Sequence, residues 1–358
     1  VQERVQKLRA LLAREGLDGL LVTNSFNRRY ITGFTGTAGV ALITGSDAVF
    51  ITDFRYVDQA RDQAQGYTIV KHNGQLEDTI AAEVKKRKIK RLGFEQDHLS
   101  YRQYTTFNKV LKDVGFQFIP VSGLVEELRR VKDEQEIEHI RQAVAIVDRT
   151  YAHILNVVQP GMTEIEVAHE IEFFMRKQGA TSSAFDIIVA SGVRSALPHG
   201  VASGKIIEKG DFVTLDFGAY YQGYVSDMTR TFAVGEPDPK LKEIYAICLE
   251  AQLKGVESIK AGMTGKEADA VCRDYISARG YGDHFGHSTG HGIGLEVHEG
   301  PTLSVHGDLP LKPGMVVTVE PGIYLSGVGG VRIEDDVLIT EQGNEILTQS
   351  PKELIIIE

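Results

Sequence analysis

Cysteine is scarce, long apolar runs are missing, and positive charge is in deficit. The 358 residues hold two cysteines and carry a formal net charge of -10. Two thiols cannot build a disulfide framework, and Cys248 and Cys272 fall inside the helix-like stretches IYAICLEAQL and ADAVCRDYI. They are expected to pack as buried small hydrophobes in a reducing compartment. No apolar run approaches the ~18 residues of a membrane-spanning helix. The opening VQERVQKLRALLAREG has no signal-peptide pattern, so the expected location is the cytoplasm. Because the first residue is Val1, it is not taken as the native start. Excess negative charge argues against nucleic acid or an anionic membrane as the main partner. The basic run KKRKIKR at residues 85–91 ends an amphipathic segment and reads as a solvated helix end.

What is present suffices for a core. Hydrophobic residues make up 42% and charged residues 25%, and the length allows about two domains of ~150 residues each. Val5, Leu8, Leu11 and Leu12 form a helical stripe that ends at Gly16. The apolar runs LDGLLVTN, GVALITG and DAVFITD follow as strands. A helix over residues 78–88, a strand at RLGFE, a helix over 101–114 and a strand at FQFIPV complete an α/β domain. The run GFTGTAG lacks the GK[ST] ending of a phosphate loop and reads as turns. PVSGLVEELRRVKDEQEIE marks a boundary, giving domains 1–125 and 126–358. Beyond it, Ile137, Ile140, Val144, Val147, Tyr151 and Ile154 predict a long amphipathic helix.

The second domain repeats itself. PGMTEIEVAHEIEFFMRKQGA is echoed by AGMTGKEADAVCRDYISARGY, aligning Thr163 with Thr264, Glu166 with Glu267 and Gly179 with Gly280. EKGDFVTLDFGAYY is echoed by LKPGMVVTVEPGIYL, aligning Asp216 with Glu320 and Tyr220 with Tyr324. A period near 100 is too long for a solenoid and predicts two copies of a helix-plus-hairpin unit about a pseudo-twofold axis.

Each copy carries two acids on a hairpin. Opposed residues of an antiparallel hairpin share a face. Asp216 and Asp227 are opposed if their turn is centred between Tyr221 and Gln222, and same-face diagonal neighbours if it is centred one residue later. Glu320 and Glu334 straddle Gly327 equally. Four buried carboxylates cannot all stay ionised without cations. The stretch GHSTGHGIGLEVHEG adds His287, His291 and His298, and its five glycines exclude a helical HExxH box. Hard oxygen donors with one imidazole suit Mn, Co, Fe or Zn, and His291, central in its glycine-rich strand, is the best-placed fifth donor.

These residues resemble the five-ligand signature of the methionine aminopeptidase/prolidase group with its pita-bread fold. AFDIIVASGVRSALPHG, GHSTGHGIGLEVHE and EPGIYLSGVGGVRIED look like the Xaa-Pro dipeptidase (prolidase) and aminopeptidase P branch. The resemblance implies a creatinase/prolidase-like N-terminal domain of RNase-H-like topology and an α+β pita-bread catalytic domain. It implies two divalent ions per subunit, Mn or Co before Zn or Fe. Asp227 and Glu334 would bridge both ions, Asp216 hold one, and His291 and Glu320 hold the other. His199, His287, His298 and Arg332 match substrate-side positions, and Tyr324 is a further candidate for the site wall. The implied reaction is hydrolysis of an Xaa-Pro bond by a hydroxide bridging the ions, with Glu320 moving the proton and His298 steadying the oxyanion. The implied substrate is a small peptide with proline second, and a homodimer is expected.

Prolidase competes here with aminopeptidase P, which acts on longer peptides. A ligand-depleted pita-bread binding protein and a metal-free creatinase are disfavoured because all five ligand positions are retained. Methionine aminopeptidase is disfavoured by the extra N-terminal domain and by Arg332 and His298.

Overall fold

In the first 129 residues, apolar runs separated by Gly, Asn and Asp become the strands of one sheet. The structure is a computed structural model that describes residues 1–112 and 115–358, so the last two positions of the helix expected over 101–114 lie outside the described residues. The chain divides into two compact units, Val1–Arg129 and Arg130–Glu358.

The first unit holds β1 (Gly19–Val22), β2 (Val40–Thr44), β3 (Ala48–Thr52), β4 (Thr68–Lys71), β5 (Arg91–Glu95) and β6 (Gln117–Val121), in the order β4-β3-β2-β1-β5-β6. Only β2 runs antiparallel to its neighbours, and the order β3-β2-β1-β5-β6 is RNase-H-like with β4 added at one edge. Helices α1 (Gln2–Arg14), α2 (Ser25–Thr32), α3 (Val57–Gln63), α4 (Leu76–Lys86), α5 (Tyr101–Leu111) and α6 (Leu124–Arg129) accompany it. The periodic stripe of α1 buries Val5, Leu8 and Leu12, and Gly16 turns the chain at φ 65° as the left-handed residue that ends the helix. Lys85, Lys86, Lys88 and Lys90 of the basic run are exposed, as a solvated helix end requires. The sequence pattern gave no sign of α2, α3, β4 or α6.

The second unit is built twice. Its first half contains α7 (Glu134–Ile154), α8 (Glu164–Lys177), β7 (Ser182–Ser183), β8 (Ile188–Ser191), β9 (Phe212–Phe217), β10 (Ala219–Tyr221), β11 (Tyr224–Val225) and β12 (Met228–Val234). The second contains α9 (Pro239–Ser258), α10 (Gly265–Ala278), β13 (Gly290–Gly292), β14 (Glu299–Leu303), β15 (Val316–Val319), β16 (Gly322–Leu325), β17 (Gly329–Arg332), β18 (Asp335–Ile339) and β19 (Asn344–Ile346). A last strand, β20 (Ile356–Ile357), returns to pair parallel with β12.

Matching residues do matching work in the two halves. Thr163 with Glu166 and Thr264 with Glu267 each close a capping box at the start of α8 and α10. In the first half Val147, Ile171, Leu215 and Phe232 bury helices against sheet. In the second, Cys248, Cys272, Val317 and Val337 do the same. Burying such an apolar side chain contributes about 1.5–3 kcal/mol, and both thiols are free and buried. No helix among the described residues is long and apolar enough to cross a membrane.

Candidate active site

Turn geometry decides how the first pair of acids meets. Gln222 and Gly223 have φ 49° and 90°, the two positive values of a type I′ hairpin turn. Tyr221 therefore pairs with Tyr224, and the same register continues to Thr229 opposite Asp216. Asp227, two residues before Thr229, is the same-face diagonal neighbour of Asp216, the second of the two arrangements open in the sequence. In the other half Gly322 pairs with Arg332 and Val319 with Asp335. That register is centred on Gly327, so Glu320 and Glu334 occupy opposed positions.

The glycines around His291 allow close strand approach. A Cβ on Gly290 would lie 1.9 Å from the carbonyl oxygen of Thr318, and one on Gly292 would lie 2.4 Å from that of Gly300. Any other residue would force β13 away from β15 at the first position or from β14 at the second, and carry the imidazole with it.

One cavity of about 710 Å³ collects these groups. Each of the nine residues assigned to metal or substrate in the sequence lines it, beside the apolar Phe185, Ile188, Pro198 and Val201. His291 Nε2 lies 3.2 Å from Glu320 Oε1 and 3.7 Å from Asp227 Oδ2. Asp227, His291 and Glu334 each offer a ligand atom within 4.8 Å of the others. His298 and His199 are exposed at the cavity, and the His298 ring lies 4.3 Å from that of His291.

Hydrogen bonds hold the acids from behind. Thr229 donates to Glu334 Oε2 at 2.6 Å and accepts from Arg332 Nε at 3.1 Å. Thr318 donates to Glu320 Oε1 at 3.0 Å and accepts from the His291 backbone N–H. Arg332 donates to Asp216 Oδ2 at 2.7 Å and to the Tyr324 hydroxyl at 2.8 Å. Arg332 does not grip one carboxylate with both arms: its fork is divided among Asp216, Tyr324 and Thr229. Tyr324 also meets His287 Nε2 at 2.7 Å, so it joins two cavity residues from outside the cavity lining.

Burial and repulsion set the charges. Burial pushes Asp227 well above the usual carboxylate range, with Glu334 and Asp216 adding to the shift. Glu334 rises likewise through burial, with Glu320 and Asp216 adding. Burial also raises Asp216 against the pull of Arg332. For Glu320 burial is outweighed by the His291 hydrogen bond and nearby positive charge, which bring it down to about 2. His291 is correspondingly raised against its own burial. Burial lowers His287, and partial desolvation at the cavity mouth, with His291 adding, lowers His298.

The donor set fits a divalent cation. Asp216 Oδ1 is buried with no hydrogen-bond partner among the described residues. A carboxylate oxygen kept from water and from donors, in a cavity with three more acids and an imidazole, has the character of a cation ligand. Sequence reasoning missed Thr229 and Thr318 as supports, and also Asp336. The last is fully buried and accepts the Asp227 backbone N–H at 2.9 Å. Alternation was the available signal: Thr318 and Glu320, or Glu334 and Asp336, stand two apart on one strand face.

Duplicated hairpins facing a pocket of carboxylates and one imidazole define a metal-dependent hydrolase. Comparison with known proteins gives the family. Residues 138–341 match Metallopeptidase family M24, and residues 4–131 match the Creatinase/Prolidase N-terminal domain. The chain belongs to metallopeptidase family M24 and is a peptidase with a pita-bread catalytic fold. It is 58% identical to the uncharacterized peptidase YqhT of Bacillus subtilis over 99% of this chain and 100% of the other. The solved Xaa-Pro dipeptidase from Bacillus anthracis is 61% identical, with a TM-score of 0.98 over 99% of both chains. The X-Pro aminopeptidase from Thermotoga maritima is 44% identical, with a TM-score of 0.89 over 96% of this chain and 98% of that one. Family membership implies divalent metal ions.

Proposed function

We propose that the cavity hydrolyses Xaa-Pro peptide bonds as an Xaa-Pro dipeptidase, with two divalent ions held by Asp216, Asp227, His291, Glu320 and Glu334. The observation that carries this reading is the set of four carboxylates lining one cavity, three of them raised by burial and mutual repulsion. Cations relieve that cost. Asp227 and Glu334, the two of these acids most strongly raised, would be ligands to both ions, with Mn or Co favoured over Zn or Fe. When bound, the ions supply a water acidic enough to attack a carbonyl near neutral pH.

The chain's own groups do the rest. Glu320, ionised and supported by Thr318 and His291, takes the proton of the attacking water and returns it to the proline nitrogen. That nitrogen is tertiary in the substrate and leaves only when protonated. His298, lowered by partial desolvation and by His291, offers a ring N–H to the carbonyl oxygen as charge develops. Arg332 has five N–H groups, and three are donated to Thr229, Tyr324 and Asp216. The remaining N–H groups, with His199 and His287, provide the substrate side. Phe185, Ile188, Pro198 and Val201 give an apolar wall suited to a proline ring.

The name of the Bacillus anthracis relative favours a dipeptidase, and that of the Thermotoga maritima relative favours a second reading, an Xaa-Pro aminopeptidase. Offering Xaa-Pro and Xaa-Pro-Xaa side by side with Mn separates them. The dipeptidase reading expects proline from the dipeptide and no turnover of the tripeptide. Preferential release of Xaa from the tripeptide would replace it with the second reading.

A further inference from the structure

The loop that carries His199 is fastened at both ends by one carboxylate. Glu164, at the start of α8, is fully buried. One of its oxygens accepts from the backbone N–H and hydroxyl of Ser191, both at 2.8 Å. The other accepts from the N–H and hydroxyl of Ser203, at 3.1 and 2.6 Å, and pairs with Arg194. Arg194 reaches across the loop to the Val201 carbonyl at 2.9 Å. Between these fixed ends lie Pro198, His199 and Val201, all on the cavity wall.

The repeat shows that this clamp is particular to one half. Residue 164 aligns with Gly265, at the start of α10. There a Cβ would lie 1.9 Å from the Thr302 carbonyl oxygen, and the backbone N–H of Lys266 donates to Gly307 at 2.7 Å. Both halves close the loop on the helix backbone, the Ile165 N–H donating to Ser203 as the Lys266 N–H does to Gly307, but the second half leaves no space for a side chain at residue 265. The first half instead places a carboxylate at this position, and Glu164 binds Ser191, Ser203 and Arg194 with it.

We infer that Glu164 is a positioning residue for the reaction, setting His199 in the cavity through the 191–203 loop. This rests on the substrate-side reading of His199. The test compares Glu164→Gln, Ser203→Ala, His199→Ala and the Glu164→Gln/His199→Ala double variant, each loaded with Mn. It follows kcat and KM for an Xaa-Pro dipeptide, bound Mn, and hydrogen exchange across residues 191–203. Glu164→Gln is expected to speed exchange in that loop and leave bound Mn unchanged. It should lower kcat/KM roughly tenfold or more, since small misplacements of a substrate-contacting group are costly. The loss should divide between kcat and KM as it does in His199→Ala, and should vanish in the His199→Ala background. Ser203→Ala, which removes one donor, should act in the same direction with a smaller loss and keeps the test open if Glu164→Gln does not fold. Wild-type kinetics in either clamp variant, or a loss of equal size with and without His199, would overturn the inference. Wild-type kinetics in His199→Ala would overturn it by removing the reading of His199, a failure distinct from that of the clamp.

Discussion

Arg332 donates to one oxygen of Asp216 at 2.7 Å, while the other oxygen of that carboxylate is buried without a partner among the described residues. One side of the acid is held by a fixed cation and the other is left for a ligand. Asp216, Glu320 and His291 keep 14%, 16% and 12% of their side-chain surface open to the cavity, whereas Asp227 keeps 7%. The deepest acids are those with the most to gain from a counter-ion.

Asp227→Asn removes a charge without changing shape. Proline release in Mn-replete buffer should fall below detection, and bound Mn should drop with it. Wild-type rates would contradict a bridging role for Asp227.

Thr229 touches no substrate in this account, yet it supports Glu334 and Arg332 together. Thr229→Val should weaken Mn binding by about 10–100-fold, the usual cost of losing a partner that orients a metal ligand. Mn titration followed by calorimetry checks this. Unchanged affinity would show that Glu334 is held adequately by other means.

The metal-free protein should respond to pH in a defined direction. Asp227 and Glu334 are raised well above their ordinary range, so the folded chain retains protons that the unfolded chain has lost. Their contribution to folding is full at pH below the unfolded carboxylate values and is lost as pH rises through the folded ones. A divalent ion must displace the same protons. The Tm gain on adding Mn should therefore be larger at about pH 7.5 than at about pH 5.5. Equal gains at the two pH values would contradict the proton-for-metal exchange.

His298 is exposed at the cavity beside His291. If it acts on developing charge, His298→Ala should lower kcat more than it raises KM. A pure KM effect would move it to substrate binding.

Much of this arrangement was legible because the catalytic half of the chain is duplicated. The repeat fixed the two hairpins, and the alternation of strands fixed which acids share a face. For Asp216 and Asp227 two registers remained open, and the positive φ of Gln222 and Gly223 selects one of them. The supports were hidden because Thr229 and Thr318 look like ordinary strand threonines until the register puts an acid beside them. Helix α2 was hidden for a different reason. Its buried face includes Asn27, bonded to Glu95, and Arg28, bonded to the carbonyls of Gly36 and Gly39. A helix that buries hydrogen-bonded polar side chains has its apolar stripe interrupted.

The central claim is that the acids and His291 hold divalent ions on which peptide hydrolysis depends. Removing metal with EDTA, then titrating Mn back while counting bound ions and following proline release from an Xaa-Pro dipeptide, tests it most directly. The account predicts no release without metal and recovery in step with binding of two ions per chain. Full release in excess EDTA, or a chain that binds no Mn, would contradict it.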